Sequence, residues 1–500
     1  MLGMLPLFEK AGGHGDRIAL LDEAGEHRFP ELLSAARRVA SGLLEGRGDL
    51  EEARIAFIVP PGFDYVAILW GAWMAGGVAV PLCTSHPVPE LEYVLRDAQA
   101  EAVLVHPSFQ EKIRKFAGQL PLRILPSGDL LNAEPAFLPS IGLERRALIL
   151  YTSGSTGRPK GAVSTHRNLE AQTCCLAEAW AWTQQDRTLH VLPLHHTHGI
   201  VNALLCPLWA GAVCEFLPNF DARLVWERLA AGGITVFMAV PTIYSRLIAE
   251  WESASALEQA KMSQACRKLR LMVSGSAALP VSAFEKWKQI SGHSLLERYG
   301  MTEIGMALSN PLGGERRPGF VGQPLPGVEV RLSDEEGCLV EGEVRQGEIW
   351  VRGDNVFLEY WQRPQETTQV FCDGWFRSGD VAVVEDGYYR ILGRQSVDII
   401  KTGGYKVSAL EIEEVLRTHP EVLECAVVGI EDADWGERVC AALLLRPGCC
   451  ISLQALRSWA KERMATYKIP SGLKLVKDLP RNAMGKVMKP EVKKLFEESA

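Results

Sequence analysis

From about residue 15 to 145 the chain alternates two hydrophobic rhythms. Leu32 to Leu44 carries apolar residues at helical spacing, Arg54 to Val59 reads as a strand, and Tyr65 to Met74 as a buried helix. Gly76 to Leu82 then predicts a strand, Leu91 to Ala98 a helix, and Ala102 to Val105 another strand. The alternation resumes further on, with short strands at Leu189 to Leu192, Val213 to Leu217, Val236 to Ala239 and Leu271 to Ser274. Strands alternating with helices predict a mostly parallel α/β sheet. From about Gly327 the texture changes. Val328 to Leu332, Gly347 to Arg352 and Tyr388 to Leu392 alternate apolar and polar residues between Gly- and Asp-rich turns, the pattern of an antiparallel β unit. Beyond the turn Gly393-Arg394-Gln395-Ser396 come a helix at Glu411 to Arg417, strands at Cys425 to Gly429 and Val439 to Leu445, and a helix at Leu453 to Thr466. The expectation is an α/β protein. Its large N-terminal domain, 1–393, includes a β unit at about 327–393, and a small α+β C-terminal domain follows at 394–500.

A length of 500 residues exceeds one core and agrees with this division. A net charge of -8 argues against nucleic acid or an anionic membrane as the main partner. No apolar run reaches membrane-spanning length. The opening, Met1 to Lys10, resembles neither a secretory signal nor an Arg-rich transit segment. The cytoplasm is therefore expected, or the mitochondrial matrix were a presequence removed. The twelve cysteines contain no C-x-x-C and suit free thiols rather than a disulfide framework or zinc site.

The chemistry centres on Tyr151-Thr152-Ser153-Gly154-Ser155-Thr156-Gly157-Arg158-Pro159-Lys160-Gly161. Glycines let backbone N–H groups approach an anion, and hydroxyls and cations complete a polyphosphate cradle. The P-loop pattern fails, because its second glycine falls on Pro159 and Gly161 follows Lys160. A solvated connector has similar composition. Further along, Ser274-Gly275-Ser276-Ala277 follows the strand Leu271 to Val273, where open α/β sheets bind nucleotides; a tight strand-to-helix turn accounts for it equally. The run Leu295 to Glu303 reads as a strand ending in a turn. It places Tyr299, able to stack on a purine, near Glu303, able to hold a magnesium ion bridging phosphates.

The stretch Y-T-S-G-S-T-G-R-P-K-G resembles the phosphate-binding signature of the adenylate-forming superfamily, the acyl-CoA synthetases, luciferases and peptide-synthetase adenylation domains. Y-G-x-T-E (Tyr299, Gly300, Thr302, Glu303) resembles its purine and Mg2+ motif. Asp380, in Trp375 to Asp380, resembles its ribose ligand, and Arg394 a second one at the start of a hinge whose pivot falls near Gln395-Ser396. Lys401 to Val407, with Gly403, Gly404 and Tyr405, resembles the loop lining the pantetheine channel, and Pro480 to Lys486 the catalytic-lysine motif. The resemblance implies ATP, Mg2+ held with Thr156 and Glu303, CoA as co-substrate, and a mobile C-terminal domain delivering Lys486 to the α-phosphate. It spans residues 151 to 486 in the family's order.

Two features bear on the carboxylate substrate. His195-His196-Thr197-His198-Gly199 resembles the family's pocket-wall motif, with His196 in the usual place and His198 beside it; a satisfied polar cluster is favoured over a metal. Arg298 precedes Tyr299, where members handling apolar acyl groups commonly carry a small residue. A buried cation there calls for a second carboxylate on the substrate, unless Glu297 and Arg298 are paired with other neighbours. Arg246, after Val236 to Val240, could supply a second cation or be an exposed helix residue. With L-H-H-T-H-G and V-P-T-I-Y, the chain resembles the malonyl-CoA synthetase branch. The expected activity is ATP-dependent ligation of malonate, or methylmalonate, to CoA. Alternatives are an acyl-CoA synthetase for medium-chain or aryl monocarboxylates, an adenylation domain serving a separate carrier, and a nucleotide-binding protein without turnover.

Overall fold

The computed structural model describes residues 5–118, 120–134, 136–152, 158–334, 336–342, 345–432, 434–481 and 487–497. Two sheets carry the large domain. The seven-stranded one is ordered Glu359–Tyr360, Lys160–Thr165, Arg146–Thr152, Val78–Pro81, Arg54–Ile58, Ala102–Val105, Arg123–Pro126. The nine-stranded one runs Gln323–Pro324, Gly305–Ser309, Leu296–Met301, Leu271–Ser274, Val236–Ala239, Arg187–His190, Val213–Phe216, Ile18–Asp22, Gly25–Arg28. Its central strands Val236–Ala239 and Leu271–Ser274 pair in parallel and are buried on both faces, as their unbroken apolar sequences require.

Both sheets are mostly parallel, as expected, with the antiparallel pairings confined to their edges. Arg146–Thr152 and Lys160–Thr165 form an antiparallel hairpin, and Leu296–Met301 turns back antiparallel onto Gly305–Ser309. The helix His166–Ala179 begins where it does because Thr165 caps it. Thr165 Oγ1 accepts from the Asn168 N–H at 3.2 Å while Asn168 Oδ1 accepts from the Thr165 N–H at 2.8 Å.

A third, antiparallel sheet contains Glu329–Ser333, Arg345–Arg352, Trp375–Glu385, Phe371–Cys372 and Tyr388–Arg394. The next strand, Ile399–Thr402, belongs to another sheet, with Tyr405–Ser408, Gly436–Leu445, Val422–Asp432 and Gly472–Leu475. The turn between these two sheets is tied down: Asp398 Oδ2 accepts from the Arg394 N–H at 2.9 Å, and Asp398 Oδ1 lies 2.7 Å from the buried Lys489 Nζ. Arg390 bridges to Glu411 at 2.8 Å, and Glu414 accepts from the Val281 N–H at 3.2 Å, so C-terminal residues touch the large domain. The helix expected at Leu453 to Thr466 ends at Ala460, where Arg463 and Met464 N–H groups both turn back onto the Ala460 carbonyl. Among the described residues no helix is long and apolar enough to cross a membrane.

Candidate active site

Leu296–Met301 organises the site because successive side chains point to opposite faces. On one face the Tyr299 hydroxyl donates to Asp380 Oδ2 at 2.6 Å, and Arg394 Nε donates to Asp380 Oδ1 at 3.1 Å. Burial, reinforced by the Asp380 charge, raises the Tyr299 phenol well above its ordinary value. Asp380 and Arg394 are cross-strand partners, which fixes the carboxylate–guanidinium pair. Asp380 lies inside Trp375–Glu385, just before a register shift between Val381 and Ala382. Gly300 cannot carry a side chain, since a Cβ would overlap the Gly305 carbonyl oxygen across the tight return. Thr302, half-buried in that return, precedes Glu303.

Glu303 is 5% exposed and has no cationic partner among the described residues. Tyr360 donates to Glu303 Oε1 at 2.8 Å, and burial raises the carboxyl's pKa. A buried carboxylate short of counter-charge suits Mg2+, a hard cation that prefers oxygen. Tyr360 also bears the Lys160 ammonium over its ring, 5.3 Å from the centroid. Lys160 is ion-paired with Glu366, so its charge is already matched. Thr152 and Lys160 are cross-strand partners at the end of the hairpin formed by Arg146–Thr152 and Lys160–Thr165. Ser153, Gly154, Ser155, Thr156 and Gly157 lie outside the described residues, as does Lys486.

On the opposite face stands Arg298, 3% exposed. Its Nη2 donates to Ser276 Oγ at 3.3 Å, and the same hydroxyl lies 3.2 Å from His198 Nδ1. Arg298 Nε and His198 Nε2 are buried without hydrogen-bond partners among the described residues, and so is Ser274 Oγ. No carboxylate pairs with Arg298 there. Burial lowers its pKa to about 9, which leaves it cationic at neutral pH. Glu297 points away, accepting from the Gly319 N–H at 3.1 Å. Burial, and secondarily the Arg298 charge, hold His198 well below its ordinary pKa, and burial lowers His196 to about 3, so both imidazoles are neutral. Ser276 adopts a left-handed φ of 71°, a strained conformation outside glycine, and Ala277 beside it is exposed. The site thus holds a fixed buried cation on one face of the strand, with a carboxylate–guanidinium pair on the other.

The sequence profile of the AMP-binding enzymes matches residues 7–361, and that of the AMP-binding enzyme C-terminal domain matches residues 411–486. The chain belongs to the AMP-binding enzyme family. It is similar to the mitochondrial malonate–CoA ligase ACSF3 of Mus musculus, 48% identical over 98% of this chain and 91% of that protein. It also resembles the crystal structure of ATP-bound MatB from Rhodopseudomonas palustris, at 35% identity and a TM-score of 0.90, covering 99% of this chain and 100% of that one. A malonyl-CoA ligase ternary product complex with methylmalonyl-CoA and AMP bound is 37% identical, with a TM-score of 0.70 and coverage of 96% of this chain and 100% of that one.

This AMP-binding enzyme does not gather every expected site residue. Arg246 is exposed, its guanidinium 5.9 Å from the Phe220 ring centroid, and it makes no hydrogen bond or ion pair among the described residues. Its helix, Pro241–Ser253, turns Ile243, Tyr244 and Leu247 inward, and Arg246 falls on the outer face. The second cation beside Arg298 is therefore not found in this arrangement. Gly403 and Gly404 make the left-handed turn between Ile399–Thr402 and Tyr405–Ser408; Tyr405 is 54% exposed and stacks on Tyr467 at 4.2 Å. This loop lies at the surface. Residues not anticipated are Ser276's role as a bridge between Arg298 and His198, and Tyr360 as the partner of Glu303. Tyr360 lies 57 residues from Glu303, and no local motif announces it.

Proposed function

We propose that this AMP-binding enzyme is a malonate–CoA ligase, acting through an acyl-adenylate on malonate and, by the same chemistry, on methylmalonate. The carrying observation is the buried, uncompensated guanidinium of Arg298. A cation so placed is costly to bury alone and attracts the distal carboxylate of a short dicarboxylate. Ser276 Oγ and neutral His198 complete a polar end wall for it.

Asp380 and Arg394 are positioned to hold the ribose hydroxyls of ATP, with Tyr299 presenting its ring to the purine. Thr152, Lys160 and the segment Ser153 to Gly157 are assigned to the phosphates, and Ser274 to Ala277 to the nucleotide-side wall. Glu303, with Thr156, would hold Mg2+, which when bound offsets charge on the phosphate oxygens. The free carboxylate of malonate attacks the α-phosphorus, the bond to the bridging oxygen breaks, and pyrophosphate departs. Lys486 is assigned to stabilising charge that builds on the α-phosphoryl oxygens in that step. The CoA thiol, losing its proton, then attacks the acyl carbon and AMP leaves. His196 is assigned to the pocket wall beside the reacting carboxylate.

The surface position of the Gly403-Gly404-Tyr405 loop supports a reading in which the C-terminal domain turns about residues near Ser396 between the two half-reactions. The chain's closer superposition on an ATP-bound relative than on a product complex agrees with an adenylation arrangement. Two compartments suit a reaction drawing on ATP and CoA, the cytoplasm and the mitochondrial matrix, and cell fractionation discriminates between them. The deciding experiment is CoA-thioester formation across mono- and dicarboxylic acids. Malonate is expected to be preferred over butyrate and benzoate; a preference for either monocarboxylate contradicts the assignment.

A further inference from the structure

Three side chains outside the reaction scheme converge where the two large sheets meet. Cys83 and His86 lie in the loop after the strand Val78–Pro81 of the seven-stranded sheet, and His195 lies in the loop after Arg187–His190 of the nine-stranded one. The Cys83 sulfur and one nitrogen from each imidazole all lie within 4.8 Å of one another. A turn brings the first two together, the His86 N–H donating to the Cys83 carbonyl at 3.3 Å. Lys112 pins the same loop by donating to the Thr84 carbonyl at 2.9 Å. The opposing loop is tethered by the Tyr65 hydroxyl, which donates to the Leu194 carbonyl.

We propose that Cys83, His86 and His195 form a Zn2+ site that clamps the two sheets together beside the loop carrying His196 and His198. One thiolate and two imidazoles are the borderline-soft donor set that zinc selects, leaving a fourth position open. Bond lengths of about 2.3 Å to sulfur and 2.0–2.1 Å to nitrogen require the donors to close in by only about an ångström. Glu90 supplies the outer contact that orients metal-bound imidazoles, its Oε2 lying 3.2 Å from His86 Nδ1 and leaving Nε2 as the ligand. Cys83 is 5% exposed, while both histidines are half-buried and give the ion a way in.

The consequence for the proposed ligase follows from the next residue. The His195 ring packs on His196 with centroids 4.0 Å apart, so a metal holding His195 also restrains the loop that carries His196 and His198. Bound zinc therefore inhibits the proposed ligase. Metal binding itself is independent of which carboxylate the pocket takes, and can be read without turnover.

The test is titration of the metal-free full-length protein with Co2+, followed by its sulfur-to-metal charge-transfer absorption, then displacement by Zn2+. One equivalent with that absorption is expected in the wild type. Cys83→Ser should abolish it, and His86→Ala should weaken binding at least about tenfold; Glu90→Gln should weaken it by about 10–100-fold. Cys338→Ser, in the exposed cluster with Asp334 and Glu336, should leave it unchanged. Zn2+ should inhibit the wild type at concentrations at least about tenfold below those needed for His86→Ala. The proposal is overturned if the wild type gives no sulfur absorption, if the band survives in Cys83→Ser, or if it is lost in Cys338→Ser. Should Cys83→Ser fail to fold, His86→Ala decides alone: unchanged Co2+ affinity there is contradictory.

Discussion

Gly275 lies against the guanidinium of Arg298: a Cβ on Gly275 would stand 2.6 Å from Arg298 Cζ and Nε. The small residue after the strand Leu271–Ser274 thus makes room for the cation proposed to hold the substrate. Gly275→Ala should displace the guanidinium without removing it. An ångström-scale misplacement can reduce efficiency by about 100-fold, so kcat/KM for malonate should fall by about that factor while the KM for ATP changes little. Steady-state kinetics in each substrate checks this; equal loss for both substrates would place Gly275 in general folding instead.

On the face proposed to hold nucleotide, Asp380 accepts from both Tyr299 and Arg394. Hydrogen bonds to a charged acceptor contribute about 1.5–3 kcal/mol. Asp380→Ala should therefore raise the KM for ATP by about tenfold or more, and Tyr299→Phe by less, with the KM for malonate little changed. Normal ATP kinetics in both variants would show that the ribose site lies elsewhere.

Much of this division was legible in residues of one short stretch. Arg298 and Tyr299 are adjacent, and strand alternation alone sends them to opposite walls. What the sequence could not convey was contact across long separations. Ile18–Asp22 joins the nine-stranded sheet beside Val213–Phe216, a pairing about which neither segment carries local information. Arg246 has the right charge in the right region, yet the rotation of its helix puts it outside. The break after Ala460 was hidden because apolar spacing continues to Met464 while the backbone turns back. Gly275 was visible as a small residue in a turn, but its steric role needed Arg298 in place.

Glu297 offers a pH-dependent test of the face opposite Arg298. Burial, only partly offset by the Gly319 N–H, raises its carboxyl to about 8. Below about pH 4.5 folded and unfolded chains both hold the proton. As pH rises, the unfolded chain ionises first, so the folded state loses relative stability up to about pH 8 and no further. Glu297→Gln keeps an oxygen for the Gly319 N–H and removes this penalty. It should raise the melting temperature at pH 8.5, have little effect at pH 4.5, and leave malonate KM unchanged. A large rise in malonate KM would mean that Glu297 supports Arg298 after all.

Lys486 carries the two-step scheme. Lys486→Ala should lower malonyl-adenylate formation by about a hundredfold or more, the scale of losing one transition-state donor. A supplied malonyl-adenylate should still react with CoA at a rate near that of the wild type. Rapid-quench measurement of each half-reaction decides this, and equal losses in both would contradict a domain that presents different residues to each step.

The most direct measurement is the ratio of malonate to butyrate efficiency in Arg298→Gly against the wild type, with Arg298→Lys alongside. Truncating one partner of a buried charge pair costs roughly 2–5 kcal/mol, which corresponds to about 30-fold to several thousandfold in malonate efficiency. Lysine keeps the charge but not the planar fork, so Arg298→Lys should recover only part of the loss. In Arg298→Gly the ratio should collapse, with butyrate activity retained or raised. An unchanged ratio would contradict the malonate assignment and leave Arg298 a structural residue in a ligase for some other acid.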